Sequence, residues 1–129
     1  YDYVVLLQPT SPLRTVDDID GCIETCVSSM ASACVSVTEV SQHPYWMYKI
    51  PSSGFLVPLI QQENTFSCRQ DLPPMYVLNG AVYVVESFSL VKCKSFLSSF
   101  TKAFIMPKER SLDIDDNVDL QLFNILIHK

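Results

Sequence analysis

The sequence predicts one α/β domain carrying an inserted hairpin. Three observations lead to this. An apolar run, a capped amphipathic helix and an alternating strand follow one another over residues 2–40. Strand and helix patterns alternate again from residue 76 onward. Between these stretches lies a segment broken by Pro44, Pro51, Pro58, Pro73 and Pro74. The chain has 129 residues, 48% of them hydrophobic, which suits one sizeable core.

Asp2–Gln8 is rich in β-formers and lacks polar alternation, as a strand buried on both faces would, and Pro9-Thr10-Ser11-Pro12 stops it. Thr15 is placed to N-cap a helix with Asp18 in the capping-box position, and Ile19, Cys22, Ile23, Cys26, Val27 and Met30 recur at helical spacing. Gly21 weakens that helix without breaking it. Ala33–Val40 alternates, with Val35 and Val37 on one face and Cys34, Ser36 and Thr38 on the other. This strand–helix–strand order predicts a parallel, right-handed crossover.

The middle reads as a hairpin, Tyr45–Ile50 and Phe55–Ile60, turning at Pro51-Ser52-Ser53-Gly54, then an irregular polar stretch over 61–71. The insertion, 42–75, is either a dimerisation-type arm or an ordinary surface excursion. A strand at Tyr76–Val85, a short helix from Ser87 to about Cys93, a strand at Lys102–Met106 and a helix from Val118 to about Ile127 complete the chain.

Composition excludes several functions. A net charge of −5 argues against nonspecific nucleic-acid binding. The apolar runs are too short to span a bilayer, and no signal-peptide pattern opens the chain, which begins at Tyr1. The five cysteines (22, 26, 34, 68 and 93) form no CxxC pair and no metal-ligand spacing to His43 or His128. Buried, reduced thiols and a cytoplasmic location are expected.

The chemistry points to Ser111-Leu112-Asp113-Ile114-Asp115-Asp116. On extended backbone Asp113 and Asp115 share a face while Leu112 and Ile114 occupy the other. Neighbouring carboxylates repel unless a cation or donors lie between them, and Mg²⁺ shared with phosphate oxygens is the usual solution. The same acids, just ahead of an apolar helix, are also placed to cap it and complement its dipole.

Three strings together resemble the cytidylyltransferases that activate nine-carbon 2-keto sugar acids, the CMP-sialic acid synthetase (acylneuraminate cytidylyltransferase) group. They are Leu7-Gln8-Pro9-Thr10-Ser11-Pro12-Leu13-Arg14, Val77-Leu78-Asn79-Gly80-Ala81-Val82-Tyr83 and Ser111-Leu112-Asp113-Ile114-Asp115. The resemblance implies a Rossmann-like three-layer nucleotidyltransferase sheet, here N-terminally truncated. It implies transfer of CMP from CTP to the sugar acid with release of pyrophosphate. Asp113 and Asp115 match the catalytic, Mg²⁺-holding pair. Gln8, Asn79 and Tyr83 match sugar contacts, Arg69 a guanidinium that meets the anionic substrate, and Phe96 an aromatic that packs on the acyl group. A homodimer or higher oligomer is also implied.

The chain departs from that group in three places. Tyr45-Trp46-Met47-Tyr48 follows Pro44 where a lysine is common, and Leu97 stands where some members carry a second aromatic. The glycine-rich loop that wraps CTP has no counterpart, since Gly21, Gly54 and Gly80 are too scattered to build a phosphate cradle. Two expectations follow: the sugar-acid- and metal-binding part of a longer enzyme, or a truncated, catalytically inactive remnant that persists as a folded oligomeric module. A glycosyltransferase with an Asp-x-Asp ion site is a third possibility, against which the LQPTSPLR string speaks.

Overall fold

The computed structural model describes residues 1–61 and 72–128. They form two compact units, residues 1–38 with 78–129, and residues 39–77.

The larger unit is mixed α/β. Its strands are β1 (Tyr3–Leu6), β2 (Ala33–Glu39), β5 (Tyr76–Glu86) and β6 (Thr101–Ile105), in the sheet order β1-β5-β2-β6. Its helices are α1 (Val16–Ser28), α2 (Ser87–Cys93) and α3 (Asn117–Ile127). β1 runs antiparallel to β5, and β6 runs parallel to β2. Bonds from Val82 N–H to Ser36 Oγ and from Glu86 N–H to Ser32 O set β5 antiparallel to β2 as well. Hence β1, β2 and β6 point one way and β5 is reversed. The predicted crossover strands, β1 and β2, are parallel but not neighbours, because β5 is inserted between them.

Burial follows position in the sheet rather than local pattern. β2 lies inside the sheet, and all six residues from Ala33 to Thr38 are buried, so both of its alternating faces are covered. β1 lies at an edge, and each of its residues is exposed, so the expected strand buried on both faces is absent.

α1 starts as its residues dictate: Thr15 Oγ1 accepts from Asp18 N–H while Asp18 accepts from Thr15 N–H, completing the capping box. Cys22 and Cys26 are fully buried with Cys34, Ala81, Val82, Val84 and Met106, and Ile19, Ile23 and Phe104 pack against this core. Gly21 has a reason for being small, since a Cβ there would stand 2.6 Å from the Phe104 ring. Val27 and Met30, expected on the apolar face, are instead exposed. The helix ends at Ser28 and the chain turns away. Ala31 N–H bonds Cys26 O and Met30 N–H bonds Val27 O, a Schellman closure with Met30 left-handed at φ 50°.

The smaller unit holds the hairpin, narrower than expected. β3 (Tyr48–Lys49) pairs antiparallel with β4 (Val57–Pro58), and Gly54 takes the left-handed turn position at φ 79°. His43 is buried; its Nδ1 accepts from Tyr45 N–H at 3.2 Å, so the Nε2 atom 3.1 Å from Pro73 O is the donor there. No helix among the described residues is long and apolar enough to cross a membrane.

Candidate functional site

The site gathers at the carboxyl ends of the three co-directional strands, where open α/β sheets place their ligands. The loop after β1 brings Gln8 and Ser11, the start of β5 brings Asn79 and Gly80, and the segment after β6 brings Asp113.

The loop after β1 is held from below. Arg14 donates to Gln8 O at 2.6 Å and to Ser11 O at 2.7 Å, folding Gln8–Ser11 around its guanidinium. Ser11 is completely buried. Its hydroxyl lies 3.1 Å from Asn79 O and 3.3 Å from Asp113 Oδ1. Ile114 N–H donates to Thr10 O at 2.8 Å, laying the aspartate segment beside this loop.

Gly80 leaves room for the loop. At φ 73° it occupies the left-handed region, and a Cβ there would collide with Gln8 Oε1 and come within 3.1 Å of Ser11 Oγ. Gln8 and Ser11 therefore converge on the same spot of backbone.

Asn79 has its amide committed within the protein. Oδ1 accepts from Ser36 Oγ at 2.6 Å and from Ala81 N–H at 3.2 Å. Nδ2 donates to Ser111 Oγ at 2.9 Å and lies 3.4 Å from Met106 Sδ. Ser111 in turn donates to Pro107 O. Thr38, two residues past Ser36 on the same face of β2, has a buried hydroxyl without a partner among the described residues.

Tyr83 and Phe96 meet edge to face, ring centroids 5.7 Å apart. Burial raises the Tyr83 hydroxyl's pKa, and the nearby Asp113 charge adds to it. Asp113 thus meets Ser11 directly and lies close enough to Tyr83 for its charge to be felt there.

The capping expectation divides among the acids. Asp116 caps α3, accepting from Val118 N–H and Asp119 N–H, and Asp119 closes the box on Asp116 N–H. Asp115 lends α3 only its backbone N–H, to Asp119 Oδ2. Asp113 Oδ2 and both Asp115 carboxylate oxygens have no hydrogen bond among the described residues, and Asp115 is exposed. Free carboxylate oxygens are hard donors of the kind Mg²⁺ takes, with water and phosphate completing its shell; among the described residues no three of His, Cys, Asp or Glu gather to hold an ion.

The structure thus brings Gln8, Asn79, Tyr83, Phe96 and Asp113 into one connected neighbourhood, with Asp115 two residues along the chain. Arg69 lies outside the described residues. Sequence reasoning passed over Ser11, Arg14, Ser36 and Arg110. Arg110 grips Asp18 with two bonds of 2.7 and 2.8 Å and fixes the 3₁₀ turn ahead of Ser111. The signal for Ser11 and Arg14 was their place in the LQPTSPLR string; Ser36 and Arg110 carried none.

No family model matches the chain. Individual proteins do. An N-acylneuraminate cytidylyltransferase of Streptococcus agalactiae is 36% identical over 115 residues, covering 89% of this chain and 28% of that protein. A CMP-N,N'-diacetyllegionaminic acid synthase of Legionella pneumophila is 36% identical over 124 residues, 95% of this chain and 52% of that protein. An N-acylneuraminate cytidylyltransferase of Escherichia coli is 28% identical over 122 residues, 95% of this chain and 29% of that protein. The chain spans between 28% and 52% of the length of these relatives.

Proposed function

Because this chain belongs to the CMP-sugar-acid cytidylyltransferase family, we propose that it forms the sugar-acid- and metal-binding part of an enzyme that transfers CMP from CTP to a nine-carbon 2-keto sugar acid. In that reaction the anomeric hydroxyl attacks the α-phosphorus, a C–O–P bond forms, and the bond to pyrophosphate breaks. The protein's task is to position reactants and meet developing charge.

One observation carries the reading. Gln8 and Asp113, from opposite ends of the chain, both border Ser11 at the carboxyl ends of parallel strands. Gln8 presents its amide to the sugar acid. Tyr83 and Phe96 form an aromatic wall for the acyl substituent. Asn79, its own amide fully engaged, shapes the wall by fixing β5 against β2 and the Ser111 turn. Arg69 is proposed as the partner of the substrate carboxylate. Asp113 and Asp115 would hold Mg²⁺, whose charge offsets that growing on the α-phosphate and pyrophosphate oxygens. A Rossmann-like nucleotidyltransferase fold, a cytoplasmic location and a homodimer belong to the same reading. The names of the relatives cover both sialic and legionaminic acids, so either class of sugar acid suits the site.

The test is thermal melting of the 129-residue chain with and without millimolar MgCl₂. Binding to the folded state raises the melting temperature. The expected outcome is a rise in the wild type that disappears in Asp113→Ala. Equal melting with and without the ion in the wild type would remove the metal assignment.

A further inference from the structure

We propose that Ser11 is a positioning residue that orients Asp113 for ion binding and registers it to the Gln8 side of the site. This rests on the reading of Asp113 as an ion-binding carboxylate. The Ser11 hydroxyl has one hydrogen and two acceptors within reach, Asn79 O at 3.1 Å and Asp113 Oδ1 at 3.3 Å. A carboxylate is the stronger acceptor. Donation to Oδ1 turns the carboxylate so that Oδ2, unpartnered among the described residues, is the oxygen left for a cation.

The hydroxyl is itself held in place. Arg14 grips the Ser11 carbonyl, and the residue is wholly buried. The same hydroxyl borders the space beside Gly80 that Gln8 Oε1 occupies. Ser11 therefore stands where the ion-binding side and the sugar-binding side meet. Groups that orient a ligating carboxylate are typically worth tenfold or more in metal affinity.

The experiment measures Mn²⁺ binding to the full 129-residue chain by water-proton relaxation, well below each protein's melting temperature. Wild type, Ser11→Ala, Ser11→Cys and Asp113→Ala are compared, with far-UV circular dichroism reporting the fold. Ser11→Cys keeps the side chain's approximate volume but offers only a weak donor. Binding lost in Asp113→Ala and weakened about tenfold in Ser11→Ala and Ser11→Cys is the expected result. Wild-type affinity in either folded Ser11 variant, with binding still lost in Asp113→Ala, overturns the role of Ser11 and leaves the metal reading intact. Binding in the wild type no tighter than in Asp113→Ala overturns both.

Discussion

Arg110 reaches Asp18 with two nitrogens, and that pair makes part of the fold's stability sensitive to acid. The hydrogen bond from Arg110 is the main cause that lowers the Asp18 pKa from 3.8 to about 2, against the opposing effect of burial. A group depressed on folding contributes stability that is complete above its unfolded value and lost as pH falls through the folded one. The sensitive window is therefore between pH 4 and pH 2. Arg110 is partly exposed, so solvent screening reduces the pair's contribution. Urea unfolding of the wild type and Arg110→Ala is expected to give ΔG values that differ at pH 6 and converge toward pH 2. A constant difference across that range would refute the pair's role. By contrast, the hydrogen bond with the Cys34 thiol and burial push the Cys22 pKa well up, in keeping with the buried thiol its spacing suggested, whereas Cys93, expected to be buried, is exposed.

Helix ends were the most readable elements. Thr15 with Asp18 announced the start of α1, and the observed cap uses those atoms. Its far end was misread because the apolar spacing runs on through Val27 and Met30, while the backbone stops at Ser28. Nothing local marks that stop: the C′ position holds methionine where glycine is usual. Met30 is 91% exposed and sits at φ 50°, so its side chain strains the backbone without packing in return. Met30→Gly is expected to raise stability by up to about 1 kcal/mol, read as a higher melting temperature. A lower one would mean that the side chain does something the fold does not reveal. Sheet order was less legible than the strands themselves. Each strand of the four-stranded sheet lies within a residue or two of its expected span, yet no local pattern tells that β5 enters between β1 and β2. That placement exchanged their burial, making β2 interior and β1 peripheral.

At the scale of the whole molecule, apolar surface remains uncovered along β1, where Val4, Val5 and Leu6 are 37–40% exposed at the sheet edge. Edges of this kind recruit another chain. Sedimentation velocity at micromolar concentration is expected to show dimers or larger species, and Val5→Lys to shift them toward monomer. A wild-type monomer would contradict this. Of the candidate residues, Gln8, Asn79, Tyr83, Asp113 and Asp115 were legible as members of three strings, while Arg69 and Phe96 lie outside them. The site's wiring was not legible, since hydroxyls such as Ser36 and Ser111 look interchangeable until folding brings them to one amide. That amide has a genetic consequence. Asn79 is saturated by groups from β2, from its own strand and from the turn after β6. A replacement at position 36 or 111 takes a partner from the Asn79 amide, and one at 79 takes a partner from both serines, so substitutions at these three positions are expected to be non-additive.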